Sequence, residues 1–338
     1  MRWTAALWAL TLATANPLIA QDVYQAHTVQ LLMGTRFELG VYADSQSLAD
    51  SVLEAGIVEV KRIEALISSW NSESQTSRIN QARAGDSVRV DRELLALIAR
   101  SQKISALTEG AFDITAGAGL AGLYRFAGQD TTLPDFAQLE ACQQTINYRD
   151  VVVDRAASAV IKRQDGVQLG FGGIGKGYAA NRVRSLMRNT PGVVGGVINA
   201  AGDLATFGTN AEGKSWTIAI ADPSQQGKVL GQVQVRDAAV VTSGNYEKYF
   251  THEGLRYSHI IDPRTCLPTT GVSSVTIVSS DAEIADALAT ACFVLGPGAA
   301  TALIDRLKDI EMLLITEAGD LVRSRGLRLE PYVATPAD

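Results

Sequence analysis

Between residues 151 and 280 the chain is written in short β-rich runs, VVVD, WTIAIAD, KVLGQVQV, AAVVT and SSVTIVSS, separated by turn residues. Strands that follow one another without regularly interleaved helices argue for an α+β architecture over a doubly wound one. The helical signal lies to either side. Apolar residues recur at helical spacing over 48–70 (Leu48, Val52, Leu53, Ile57, Val60, Ile63, Leu66, Ile67) and again over 91–107, where Asp91 stands as the cap. Further helices are expected from the glycines at 172–177 to about Met187, at 282–295 and at 298–308. Two last strands, MLLITEA and LVRSR, flank Gly319. Near the start, HTVQLLMGTRFELGVY reads as two strands around a turn at 33–35, with Phe37, Leu39 and Val41 alternating. No internal repeat or Pro-rich linker interrupts this order. One large domain, with a smaller helical lobe over about 45–150, is the economical reading.

Of the 338 residues 46% are hydrophobic and 20% charged, enough to bury a large core without disulfides or a structural metal. The formal charge of -6, with Lys and Arg scattered rather than blocked, argues against nucleic acid or an anionic membrane as partner. Cys142, Cys266 and Cys292 form no C-x-x-C pair and are odd in number, so neither a zinc ribbon nor a disulfide framework is read from them. The first twenty residues, MRWTAALWALTLATANPLIA, place Arg2 before an apolar stretch from Trp3 to Ala15 and end on a small residue. That is the layout of a cleaved secretory signal, too short for the ~20 residues of a spanning helix. No cysteine follows it for lipid attachment, and no later stretch approaches 18 consecutive apolar residues. The expectation is a soluble mature protein, residues 21–338, in a bacterial periplasm.

The glycines cluster at 169–178, LGFGGIGKGY. Gly170, Gly172 and Gly175 satisfy the spacing of a dinucleotide-binding turn, but that fingerprint also wants an acidic residue ~20 positions on, and none lies between Asp165 and Asp203. The same residues fall one short of a P-loop, because Gly177 stands where the metal-binding Ser or Thr belongs. What survives is physical. A glycine backbone can aim several N–H groups at an anion, beside a helix N-terminus and Lys176. The plain alternative is a tight strand-to-helix turn with a surface lysine.

In AEIADALATACFV (282–294), Asp286 and Thr290 lie four apart and so share a helix face. A carboxylate and a hydroxyl amid alanines suit Mg²⁺, with water and phosphate oxygens completing its octahedron; alternatively both simply face solvent. Of the three histidines, His259 in YSHIIDPRT sits in the most ordered segment and is the candidate general base, with a structural histidine as the alternative. No Ser-His-Asp elbow or H-E-x-x-H supports hydrolase or zinc chemistry.

Taken together, MGTRF (33–37), SSWNSESQTSRIN (68–80), TEGAFDIT (108–115), GGIGKGYAAN (172–181), AGDLATFG (201–208), TSGNYEKYF (242–250), YSHIIDPRT (257–265) and ADALATACFVLG (285–296) resemble, in this order, the ApbE family of flavin transferases. The resemblance implies mixed, largely antiparallel sheets with flanking helices. It also implies a Mg²⁺-dependent FAD:protein FMN transferase that moves FMN onto a Ser or Thr of an exported or membrane-bound redox protein and releases AMP. By the same resemblance, Asp286, Thr290 and the Gly175 carbonyl would hold the metal. Met33, Trp70, Ala111, Phe112, Asp113, Gly172, Lys176, Tyr178 and Ile261 would bind FAD, and His259 would take the acceptor proton, with Asp286 serving catalysis through the metal. The chain departs from the family pattern in having Gly170 and Asn181 where Asp is usual, and Ala201 and Cys266 where Gly is usual. These departures keep two alternatives open: an FAD-storing protein without transfer, and an enzyme hydrolysing the FAD pyrophosphate to FMN and AMP.

Overall fold

The computed structural model describes residues 23–332 except 121–122, 125–132, 226, 247–248 and 254. The expected signal segment lies outside them. The first hairpin is β1 (Tyr24–Leu32) and β2 (Thr35–Ala43), followed by α1 (Gln46–Ile67) and α2 (Gln75–Gln81). Then come β3 (Ser87–Arg89), α3 (Arg92–Leu107), α4 (Ala116–Leu120), α5 (Phe136–Thr145), β4 (Val151–Asp154) and β5 (Ala159–Lys162). After α6 (Gly175–Arg188) the chain turns to strands: β6 (Val193–Ala200), β7 (Asp203–Gly208), β8 (Trp216–Ala221), β9 (Val229–Val235), β10 (Ala239–Gly244), β11 (Tyr249–His252), β12 (Leu255–Ser258) and β13 (Val272–Ser279). It ends with α7 (Ala282–Ile304), β14 (Ile310–Thr316) and β15 (Leu321–Arg323).

Among the described residues, eight strands form one sheet in the order β1-β2-β6-β7-β10-β13-β14-β15, with antiparallel pairing throughout. The alternation in β2 drives one face inward: Phe37, Leu39, Val41 and Ala43 are all buried. Against that face pack α1, α6 and α7, whose apolar stripes form the main core with it. Gly56 marks the closest approach, since a Cβ there would lie 3.1–3.2 Å from Met187, Leu39 and Val183. Across the sheet, the β8–β9 hairpin closes a second core, with Ile218, Ile220, Val233 and Val235 against Val240, Leu313 and Ile315. The result is helices, sheet and hairpin in three layers.

The structure corrects several expectations. α1 belongs to the main layer, and the elements gathered beside it are α2, α3 and the small β3-β5-β4 sheet. Asp91 occupies the cap position of α3, but its carboxylate accepts from Gln75 Nε2 at 2.6 Å rather than from the helix amides. The two helices expected at 282–295 and 298–308 meet at a kink, where Gly296 takes φ 72° ahead of Pro297, and the second stops at Ile304. α7 is long and apolar enough to cross a membrane, yet it packs into the core against α6, β10 and β13. The cysteines do pair: Cys142 on α5 and Cys266 form a disulfide 124 residues apart, leaving Cys292 as a buried thiol. Spacing held no clue, because the partners meet only through the fold.

Candidate functional site

The glycine loop leads into α6 through a turn in which the Gly175 amide donates to the Phe171 carbonyl at 2.7 Å. Upstream, Asn80 pins the backbone of Leu169 by a reciprocal pair of hydrogen bonds, 2.9 and 2.7 Å. Three glycines of this loop then fit three different neighbours. A Cβ on Gly177 would lie 2.1 Å from the Ala282 carbonyl oxygen, so the first turns of α6 and α7 touch backbone to backbone. A Cβ on Gly173 would lie 3.1 Å from Thr290 Oγ1 and 3.5 Å from the Phe112 ring. Gly175 faces Ile67 and Met33, while nothing stands within 4 Å of the open side of Gly172.

Asp286 reaches across this junction. Its Oδ2 accepts from the Gly177 amide at 2.9 Å, so the carboxylate satisfies one of the free N–H groups at the α6 N-terminus. Only 2% exposed, it has its pKa pushed up by desolvation, opposed by the charge of Lys176 and by the Gly177 bond. Lys176 itself pairs with buried Asp203 at the start of β7. Thr290, one helical turn beyond Asp286, is half-buried beside Gly173. The expected Asp286–Thr290 face is therefore assembled against the glycine loop. Gly173 is the loop residue beside Thr290, while Gly175 opens α6; only the fold distinguishes these neighbouring glycines.

The 108–117 segment lines the same region. Ala111 and Phe112 are buried, and Phe112 meets Gly173. Asp113 turns inward: Oδ1 accepts from the Thr115 amide and hydroxyl at 2.8 and 2.7 Å, and Oδ2 from the Tyr148 amide at 2.8 Å. Desolvation raises its pKa against these bonds. Its carboxylate thus ties the segment to the fold. Tyr178 is likewise committed, its hydroxyl to Glu93 and its ring under the Arg100 guanidinium at 5.6 Å. It opens onto a cavity of about 530 Å³ shared with Arg100, Asn181, Arg182 and Glu283. Trp70, in the turn between α1 and α2, is 83% exposed and projects as a large aromatic surface.

His259 follows β12 and is half-buried. After it, residues 260–269 close on themselves: Thr269 N donates to Ile260 O at 3.0 Å and Asp262 N to Leu267 O at 2.9 Å. The Asp262 carboxylate is taken by the amide, Nε and Nη2 of Arg264, and Arg264 in turn approaches Gly110. Ile261 is buried in a cluster with Tyr124, Phe250 and Cys266. Among the described residues no group of three or more His, Cys, Asp or Glu gathers around one point, so any cation here would lean on backbone and hydroxyl oxygens as well as Asp286.

The sequence pattern of the ApbE family matches residues 33–314. A FAD:protein FMN transferase of Klebsiella pneumoniae (strain 342) is 32% identical over 301 residues, covering 88% of this chain and 92% of that protein. One of the same name from Treponema pallidum (strain Nichols) is 31% identical, covering 85% and 83%. Among solved structures, the ApbE protein of Thermotoga maritima MSB8 superposes with a TM-score of 0.80 at 32% identity, covering 90% of this chain and 97% of that one. The flavin transferase ApbE of Vibrio cholerae follows at 0.77 and 25% identity, covering 90% and 98%. The match runs from the Met33 turn through the glycine loop and the Asp286–Thr290 face: the chain belongs to the ApbE family.

Proposed function

We propose that this chain is a Mg²⁺-dependent FAD:protein FMN transferase that moves the FMN half of FAD onto a Ser or Thr hydroxyl of an exported or membrane-bound redox protein and releases AMP. The relatives' names support the activity. The observation that carries it is the α6–α7 junction. A carboxylate withdrawn from water to 2% exposure is costly on its own, and a divalent cation with oxygen ligands offsets that cost. Asp286, Thr290 and the loop carbonyls at Gly173 and Gly175 are hard oxygen donors of the kind Mg²⁺ takes. Bound there, the ion would draw charge from the pyrophosphate oxygens.

The remaining work falls to the chain's own residues. The glycine loop and the α6 N-terminus hold an anionic group on backbone N–H donors, and Lys176 adds positive charge beside them. Half-buried Met33 and exposed Trp70 offer apolar surface to the flavin and adenine rings, Trp70 by stacking, while buried Ala111 and Phe112 back the glycine loop from beneath. His259 accepts the proton of the acceptor hydroxyl as its oxygen bonds to the FMN phosphorus and the pyrophosphate bond breaks. Export through residues 1–20 to the periplasm is part of this reading. The disulfide supports it, because disulfides persist in oxidising compartments.

The test combines the protein, FAD, Mg²⁺ and a candidate acceptor, following denaturation-resistant flavin fluorescence and AMP. Covalent flavin and AMP should appear in equal amounts, and Asp286→Ala should lower both rates by roughly 100-fold or more. AMP without a labelled acceptor would indicate hydrolysis, and intact bound FAD would indicate storage. Normal labelling by Asp286→Ala would overturn the cation assignment.

A further inference from the structure

We propose that the Cys142–Cys266 disulfide is a positioning device for transfer: it holds the turn that follows His259 in its working conformation, so that reduction slows the reaction without weakening FAD binding. The inference rests on the transferase reading above.

Four observations converge on Cys266. It adopts φ 60°, in the left-handed region that disfavours a residue with a Cβ. It is fully buried, and its amide donates to the Asp262 carbonyl at 2.8 Å, at the tip of the closed 260–269 segment. From outside that segment, Cys266 and Ile261 pack against Tyr124 and Phe250, and two side-chain hydrogen bonds reach the turn on either side of the disulfide. Tyr124 Oη donates to the Cys266 carbonyl at 2.7 Å, and Gln143 Nε2 to the Thr265 carbonyl at 3.1 Å. α5, which carries both Gln143 and Cys142, buries none of its residues fully. A helix so lightly seated cannot grip the turn by packing alone; the covalent link makes it an anchor.

The turn matters because His259 immediately precedes it. The Ile260 carbonyl and the Asp262 amide are both bonded within it, so a shift at Cys266 is passed along two residues of fixed backbone to the imidazole. Glycine would keep φ 60° without help. At Cys266 a tether stands in for that intrinsic preference, which makes the geometry depend on the oxidation state of two sulfurs. Cys142 is half-buried on lightly seated α5, so local opening of that helix gives a small dithiol access to the bond. That dithiol supplies two electrons and two protons, giving two thiols and its own cyclic disulfide.

The oxidised protein, the protein reduced with dithiothreitol, Cys142→Ser, and Cys142→Ser/Cys266→Gly are compared for transfer kinetics and for hydrogen exchange over residues 258–268. Reduction and Cys142→Ser should each lower kcat by about fivefold or more, with KM for FAD within about twofold. Cys142→Ser should no longer respond to dithiothreitol. The double variant should recover at least half of the lost rate, a rescue that a merely stabilising disulfide would not give. Exchange over 258–268 should accelerate on reduction. An unchanged kcat in the reduced protein, or an unchanged exchange profile, overturns the proposal. If the oxidised protein labels no acceptor, the transferase reading fails separately, and the exchange data alone decide whether the turn is held by the disulfide.

Discussion

Ala201 sits at φ 55° in the two-residue connection between β6 and β7, followed by Gly202 at φ 99°, whose amide donates to Asn199 Oδ1 at 2.8 Å. A methyl group in the left-handed region is unfavourable, whereas glycine adopts it freely. Ala201→Gly should therefore stabilise the protein by about 1 kcal/mol, part of the backbone gain being lost to the freer unfolded chain. Urea midpoints measure it, and a lower midpoint for the variant would refute the strain argument. Asn181 shows the opposite kind of departure, one with its compensation built in. Its amide donates to Asp281 Oδ1 at 2.8 Å while its oxygen accepts from the Ala282 amide and from Arg184. An aspartate at 181 would lose the donor and set two carboxylates face to face. Asn181→Asp should cost about 1–2 kcal/mol at pH 7, a deficit that shrinks on acidification as the added carboxylate protonates. Both residues stand out in the sequence as departures. What makes one strained and the other satisfied does not, because Asn181 answers to a carboxylate 100 residues away.

At the scale of elements, the packing of α6 on α7 depends on Gly177. With a Cβ position 2.1 Å from a main-chain carbonyl, nothing flexible can move aside. Gly177→Ala should lower stability by about 3 kcal/mol and displace the Asp286 carboxylate, so that melting temperature and transfer rate fall together. A variant as stable as the parent would show that the helices can part freely. A second coupling is electrostatic. Arg62 on α1 bonds both Glu59 on the same helix and Glu93 on α3, and Arg182 on α6 reaches Glu59. The Arg62 bonds hold both carboxyls below their ordinary pKa of 4.5. Groups lowered on folding contribute stability above the unfolded value, and it is lost as pH falls through the folded one. The stability gap between parent and Arg62→Leu should therefore be full at pH 6 and should shrink below pH 4.5; a gap independent of pH would exclude the ion network. α1 and α3 are legible in the sequence because each carries a long apolar stripe, α6 because it follows the glycine loop, and α7 because it is largely apolar. α2 and α5 are short and polar and carry no such stripe.

For the whole molecule, the sheet order could not be read from the chain, because the strands that pair are often far apart. β2 pairs with β6 across more than 140 residues, and β10 sits between β7 and β13, after the β8–β9 excursion that covers the other face. Alternation says which face of a strand is buried and nothing about its neighbour. The same holds for the disulfide, whose partners are 124 residues apart. That separation has a thermodynamic consequence of its own. Closing so long a loop removes conformational freedom from the unfolded chain, an effect worth up to about 5 kcal/mol. Less is expected here, because α5 buries no residue fully and can detach before the core opens. Cys142→Ser should therefore lower the free energy of unfolding by about 2–4 kcal/mol, and reduction of the parent should match it. Cys142→Ser/Cys266→Gly should stay closer to the single variant in stability than to the parent, even as its transfer rate recovers. Stability then tracks the cross-link while rate tracks the turn. If rate and stability recovered together, the disulfide would act on transfer only through the stability of the whole fold.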